Sequence, residues 1–206
     1  MKKVLVFGMT DNPGGMESVI MNYYRHIDRS VLQFEFLCNT EKVAYEDEIR
    51  KLGGVIHNIC ARSKNLKQYK HDMTEFFKNN AEKYCALWFN TCSLSNIDYL
   101  VYATKYHIPK RIIHCHNAAN GGDSFLRNLL HKYHQRKVFK YATDFWTCNQ
   151  DSDLWFFGKS SKELPNYRVI YNAIDLDYFA PNDEIRKEYR SKLNISNEIL
   201  LGHDGR

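Results

Sequence analysis

The sequence predicts an α/β domain built on a Rossmann-like, doubly wound parallel sheet. Short apolar runs without a polar face alternate with amphipathic stretches along nearly all of the 206 residues. Strands that are apolar on both sides need helices on both faces, and this is the arrangement of a parallel sheet. Because such sheets bind ligands beyond the carboxyl ends of their strands, we expect functional residues where the strands end.

The apolar periodicity of the first half of the chain predicts four strands and three helices. Strands are predicted at residues 2–8, 32–39, 55–59 and 84–90. Helices are predicted between them, at residues 14–28 and 44–54 and within 67–80. The first helix has its apolar residues at helical spacing, with Val19, Ile20 and Tyr24 on one face. That face is expected to pack on the sheet.

The second half continues the alternation. A helix at 96–108 is ended by Pro109, and a long amphipathic helix is predicted at 123–142. Strands are predicted at 110–117, 144–149 and 168–174, with a short helix between the last two and a helix at 183–192. One more strand is expected to begin within 198–206. We therefore expect a first domain at 1–182, and a linker with the first strand of a second domain at 183–206.

Composition excludes several classes of protein. Hydrophobic residues make up 44% of the chain, which is enough for a sizeable core and argues against disorder. No apolar run approaches the ~18 residues of a membrane span, and Asp11, Asn12 and Pro13 interrupt the N-terminal run before it reaches signal-peptide length. The six cysteines are scattered without a paired motif, as in reduced thiols of a cytoplasmic protein. The net charge of +5 suits phosphates or a membrane surface, and no nucleic-acid module is present.

The first candidate site is the loop from Gly8 to Gly15, between the first strand and the first helix. Gly14 and Gly15 would let backbone N–H groups approach a phosphate at the positive end of the helix dipole. The loop matches neither the dinucleotide-binding fingerprint nor a P-loop. The structural alternative is a tight turn, with Glu17 complementing the first helical turn.

The second candidate is the strand end His114-Cys115-His116-Asn117. The two-residue period of a strand places His114 and His116 on one face, while Asn117 enters the following loop. We interpret His116 as a hydrogen-bond donor or polariser facing a ligand crevice. Two alternatives stay open. The histidines could be structural, or they could bind a metal with a third ligand from His131 or His134.

The helix at 123–142 is the third candidate, because it joins an apolar side to a basic surface. Its apolar residues are Phe125, Leu126, Leu129, Leu130 and Tyr133, and its basic ones are Arg127, Lys132, Arg136, Lys137 and Lys140. Such a face could meet anionic lipid headgroups or a lipid-linked phosphate. The alternative is an ordinary amphipathic helix that packs its apolar side on the sheet and leaves a solvated basic face.

Four stretches together resemble the family-4 retaining glycosyltransferases of the two-domain GT-B fold, in the bacterial surface-polysaccharide branch. They are GGMES after the first strand, RIIHCHN, TCNQDSDLWFFG and VIYNAIDLDYFAP, and the last is the most specific. The terminal ILLGHDGR resembles the strand that opens the family's second domain. The chain departs from the family pattern at Ala173, where glycine is usual, and at Asp204, where valine is common.

The resemblance implies a hexosyltransferase-type enzyme that moves a sugar from a nucleoside diphosphate sugar to an acceptor hydroxyl, with retention and without metal or cofactor. Gly14 and Gly15 match the loop near the donor phosphate, His116 matches the histidine beside the transferring sugar, and Arg206 matches the diphosphate clamp. Candidate contacts to acceptor or sugar are Asn90, Asn117 and Asn172.

The implied partners are a nucleotide sugar and a saccharide or lipid-linked acceptor, met in the cytoplasm or at the inner face of the membrane. Two other functions stay open. One is a non-catalytic module that binds a carbohydrate or nucleotide sugar, and the other is a GT-B nucleotide-sugar epimerase, which needs no acceptor. This chain alone is expected to be inactive, because a GT-B active site forms between two domains.

Overall fold

The computed structural model describes residues 1–117, 124–150 and 152–202. The strands are β1 Lys2–Phe7, β2 Leu32–Cys38, β3 Val55–Asn58, β4 Tyr84–Thr91, β5 Lys110–Cys115, β6 Asp144–Thr147 and β7 Tyr167–Val169. The helices are α1 Gly15–His26, α2 Glu46–Lys51, α3 Leu66–Asn80, α4 Asp98–Lys105, α5 Phe125–Gln135, α6 Val138–Tyr141, α7 Ser152–Phe157 and α8 Asp183–Lys192.

Within the described residues, all seven strands pair in parallel in the order β3-β2-β1-β4-β5-β6-β7. This confirms the predicted Rossmann-like class. The strand order reverses between β1 and β4, so the helices that follow these two strands lie on opposite faces of the sheet. That reversal leaves a crevice at the carboxyl ends of β1 and β4, and this is where doubly wound sheets bind their ligands.

Each face of the sheet carries its own core, because side chains alternate along every strand. On the α1 side, Val6, Phe36 and Trp88 pack with buried residues of α1. On the other side, Leu5, Phe89 and Phe145 pack with α3, α4 and α7. The predicted inward face of the first helix is confirmed, since Val19, Ile20 and Tyr24 are buried. The two cores hold the strand ends rigidly under the crevice.

Three predicted elements differ from the structure. The long helix expected at 123–142 ends at Gln135 and restarts as α6, because the N–H groups of Lys137 and Lys140 bond three residues back rather than four. The strand expected at 168–174 ends at Val169, since its partner β6 also ends there in the register. The expected last strand is not formed over residues 198–202. The Glu198 carbonyl accepts a hydrogen bond from Arg190 and does not pair in a sheet.

The chain divides into two compact units, residues 1–173 and 174–206. The first contains the whole sheet and the second contains α8. The domain limits expected from the sequence, with a second domain beginning after 182, stay a prediction. Among the described residues, no helix combines the length and the hydropathy that a bilayer crossing requires.

Candidate functional site

The site begins where β1 ends at Gly8. This glycine has φ +134°, a conformation that side chains with a Cβ rarely adopt. A Cβ added to Gly8 would lie 2.7 Å from Asn90 Cβ, at the end of β4. The sequence analysis placed Gly8 at the end of a strand and at the start of the candidate loop. Its close approach to Asn90 was not predictable, because it depends on which strands pair. Gly8 therefore lets the first loop of the candidate site lie against β4.

Asn90 joins the ends of three neighbouring strands. Its Nδ2 donates to the Phe7 carbonyl at 3.1 Å and to the Trp88 carbonyl at 3.3 Å, and its Oδ1 lies 2.9 Å from His116 Nε2. The side chain is fully buried. The sequence predicted Asn90 as a contact to acceptor or sugar. Its amide is instead directed at His116, so we assign it a positioning role.

The tautomer of His116 follows from the orientation of this amide. Because Asn90 Nδ2 faces two carbonyl oxygens, Oδ1 must be the atom that faces His116, and it can only accept a hydrogen bond. His116 Nε2 therefore donates, and Nδ1 carries the lone pair. Burial lowers the pKa of His116 to about 4, which keeps the ring neutral near pH 7. The sequence suggested a donor or polariser. With Nε2 bonded to Asn90, the free ring atom of His116 is Nδ1, which can accept a hydrogen bond.

His114 lies beneath His116 on the same face, as the strand period predicted. The two ring centroids are 4.2 Å apart, and His114 is also stacked on Trp88. Burial, followed by the neighbouring His116, lowers the pKa of His114 to about 2. His114 is fully buried and cannot reach a ligand, so it belongs to the structural support of the site.

The glycine loop reaches the start of α1. Gly14 is the residue before the helix, and no side chain caps this helix start. The Glu17 carboxylate lies close by, since a Cβ added to Gly14 would be 2.9 Å from Glu17 Oε2. Glu17 is buried and accepts a hydrogen bond from Thr10 at 2.6 Å. This is the arrangement that the structural alternative predicted for Glu17.

Gly15, by contrast, has open space beside it. A Cβ added to it would meet nothing within 4 Å, and its φ is not in the left-handed region. Neither packing nor backbone conformation requires glycine at this position. The first N–H groups of α1 are therefore open to an anion that approaches the backbone closely.

The other predicted residues are spread around this centre. Asn117 lies two residues beyond the end of β5, and its carbonyl accepts a hydrogen bond from Cys115 Sγ at 3.0 Å. Asn172 is exposed, three residues beyond the end of β7. Its neighbour Ala173 is tied to α1, because the Ala173 carbonyl accepts a hydrogen bond from Asn22 at 3.0 Å. Arg206 lies outside the described residues.

The metal alternative finds no support in the part of the chain that the structure describes, since no group of His, Cys, Asp or Glu there could hold an ion. His131 Nδ1 accepts a hydrogen bond from the Leu94 N–H, and His134 Nδ1 binds the Leu94 carbonyl. Both histidines attach α5 to the loop after β4 instead of turning to His114 and His116. Whether the reaction is independent of metals and cofactors remains a prediction.

Comparison with known proteins points in one direction. No protein-family model matches the chain. The chain is 29% identical over 209 residues to a Bacillus subtilis (strain 168) protein named "Putative glycosyltransferase EpsF". That match covers 100% of this chain and 54% of EpsF, so the chain spans about half the length of this relative.

Two solved structures share the fold. A glycosyltransferase from Rickettsia africae ESF-5 superposes with a TM-score of 0.67 at 14% identity, over 96% of this chain and 51% of that one. The lipopolysaccharide outer core galactosyltransferase WaaB superposes with a TM-score of 0.54 at 14% identity, over 85% of this chain and 47% of its own. The chain therefore shares its fold with about half of each of these two glycosyltransferases.

Proposed function

We propose that this protein is the acceptor-side half of a retaining glycosyltransferase that builds a bacterial surface polysaccharide from a nucleoside diphosphate sugar. The proposal is supported mainly by one arrangement. The uncapped start of α1 and a neutral histidine held by Asn90 follow the ends of β1 and β5, on either side of β4, in a fold shared with glycosyltransferases. The sequence similarity to EpsF supports the same class of enzyme.

In the proposed reaction, the bond between the sugar's anomeric carbon and the leaving diphosphate breaks. A new bond forms from that carbon to the acceptor oxygen on the same face, and the acceptor proton passes to the leaving diphosphate. The chain's own residues bind and orient the reactants. The N–H groups at Gly15 stabilise the phosphate charge that develops in the transition state. Such preorganised electrostatic stabilisation lowers the barrier to sugar transfer.

His116 Nδ1 accepts a hydrogen bond from a hydroxyl of the transferring sugar in this proposal. A lone pair held at a fixed place distinguishes a correctly seated sugar from a misplaced one, and the Asn90 hydrogen bond keeps the ring from turning. A protonated ring would lose this acceptor, so the low pKa of His116 maintains the interaction at neutral pH. Asn117 and Asn172 are proposed contacts to the acceptor or sugar.

The donor's base, ribose and most diphosphate contacts would come from a second Rossmann-like domain, with Arg206 in its diphosphate clamp and residues 183–206 leading into it. The acceptor is a saccharide or a lipid-linked saccharide. Sugar transfer would take place in the cytoplasm, at the inner face of the membrane. No metal or cofactor takes part in this scheme.

The test is a screen of nucleoside diphosphate sugars and saccharide acceptors with the two-domain enzyme, followed by NMR of the first product formed. The proposal expects transfer with the donor's anomeric configuration kept. Inversion would contradict it, and epimerised sugar released without acceptor would establish the epimerase alternative.

Residues 1–206 alone should bind the donors no tighter than about millimolar, because a few backbone hydrogen bonds contribute only ~1 kcal/mol net each. Micromolar binding by this chain would contradict the two-domain scheme.

A further inference from the structure

The chain leaves the sheet through a short stretch after β7. Residues 170–173 form neither a helix nor a turn. At one end, the Ile170 N–H donates to the Thr147 carbonyl at 2.8 Å, so this end lies beside β6. At the other end, the Ala173 carbonyl accepts a hydrogen bond from Asn22 Nδ2 at 3.0 Å. We call residues 170–173 the strap, because both of its ends are attached to the body of the protein.

The path of the strap follows from the order of the strands. Asn22 lies in α1 next to Tyr23, whose ring contacts Trp88 of β4 with the two centroids 5.7 Å apart. Strand β5 lies between β4 and β6 in the sheet. The strap therefore passes β5 on its way from β6 to α1. Four residues reach at most ~14 Å, which leaves little slack for a detour.

His116 lies on the side of the sheet that the strap passes. The ring of His114 is stacked on Trp88, which belongs to the core on the α1 side. His116 shares a face with His114, since their ring centroids are 4.2 Å apart. Helix α1, the strap and His116 are thus on one side of the sheet. Asn172, within the strap, is exposed there.

The strap is held on both sides of Asn172. Before Asn172, the Ile170 N–H is bonded to β6, and the Tyr171 hydroxyl accepts a hydrogen bond from Gln150 at 3.4 Å. After Asn172, the Asn22 amide holds the Ala173 carbonyl, and Ala173 is the last residue of the first compact unit. Without the Asn22 amide, Asn172 would be held from one side only.

We propose that Asn22 is a positioning residue, which holds the strap so that Asn172 contacts the sugar or the acceptor beside His116. This inference rests on the proposed function, in which Asn172 is a contact to one of these substrates. Asn22 fixes the main chain through the Ala173 carbonyl and touches no substrate itself. Because α1 also begins at the glycine loop, one helix places both the loop and the strap.

NMR relaxation of the chain tests the attachment without any substrate. The amides of residues 171–173 should have order parameters near ~0.85 in the wild type, as in a rigid backbone, and below ~0.6 in Asn22→Asp. Aspartate is close to asparagine in size but has no N–H to donate. Asn79→Asp, at an exposed position of α3, is the matched control and should leave these values unchanged. Equal order in the wild type and in Asn22→Asp would overturn the proposal.

A double-mutant cycle in the two-domain enzyme tests the link to Asn172, with the donor and acceptor that the screen identifies. Asn22→Asp should lower kcat/KM about fivefold, which corresponds to the ~1 kcal/mol of one net hydrogen bond, with a larger change in KM than in kcat. Asn172→Ala should lower kcat/KM further. The two changes combined should be no worse than Asn172→Ala alone, because Asn22 acts through Asn172.

Losses that simply add would overturn the proposal, since Asn22 and Asn172 would then act separately. A wild-type enzyme that transfers no sugar would instead contradict the proposed function. The relaxation measurement decides on the Asn22 attachment in either case, so the two failures are distinguishable.

Discussion

Helices α1 and α5 are both amphipathic, yet they present opposite sides to the protein. In α1, Ile20, Met21 and Tyr24 are fully buried against the sheet. In α5, Leu129 and Tyr133 are exposed while His131 is buried. The periodicity of a helix therefore shows that two faces exist, but it does not show which face turns inward.

The difference arises from what each helix can contact. The α1 side of the sheet offers an apolar surface of Val6, Phe36 and Trp88, so burying apolar side chains there is favourable. Helix α5 faces the turn after β4, where the Leu94 backbone presents an N–H and a carbonyl that need partners. Polar side chains satisfy those groups, and the apolar side is left outside.

The two helices should differ most in how much a polar substitution on the apolar side destabilises the protein. Ile20→Ser removes a fully buried side chain and should destabilise the protein by about 4 kcal/mol. Leu129→Ser, the matched change on α5, should alter the free energy of unfolding by less than about 0.5 kcal/mol. Urea denaturation of both variants measures this. A large loss in Leu129→Ser would mean that Leu129 is buried in solution.

A smaller effect is expected from substitutions at the two ends of the glycine loop. Gly8→Ala should cost roughly 2–3 kcal/mol, because the left-handed backbone is strained and Asn90 Cβ is in the way. Gly15→Ala should leave stability nearly unchanged, yet it should weaken donor binding by the two-domain enzyme. Thermal unfolding and donor titration of the two variants give both values. Unchanged donor affinity in Gly15→Ala would show that the donor phosphate does not bind at Gly15.

A further effect concerns acid. The unfolded chain binds a proton on each histidine near pH 6.5, whereas native His116 does so near pH 4 and His114 near pH 2. Stability is therefore complete above about pH 6.5 and falls as the pH drops toward 4, by at most about 1.4 kcal/mol per unit for each group. Burial also lowers the pKa of His134, a residue of α5 that is bonded to the Leu94 carbonyl. Both regions should weaken together.

Urea denaturation between pH 7 and pH 5 checks this sign. His114→Phe should flatten the pH dependence most and His134→Gln less, while His71→Asn at an exposed position serves as the control. A steeper fall in His114→Phe than in the wild type would contradict the assignment of His114 as a neutral buried group.

Much of the fold could be predicted from the sequence, because alternating apolar runs determine where strands and helices lie. The face shared by His114 and His116 was also predictable, since it follows from the strand period. Three features were not. The Gly8–Asn90 approach depends on which strands pair, the tautomer of His116 depends on the Asn90 amide, and the rotation of α5 depends on the Leu94 backbone. Each is set by a contact between distant residues.

We propose that sugar transfer takes place at the carboxyl edge of β1, β4 and β5, with His116 as a catalytic residue. The turnover number of His116→Ala in the two-domain enzyme, measured beside its melting temperature, tests this. We expect kcat to fall on the order of 100-fold, because a preorganised contact to the sugar is removed, while the melting temperature stays close to that of the wild type. Turnover near the wild-type value would show that His116 takes no part in catalysis.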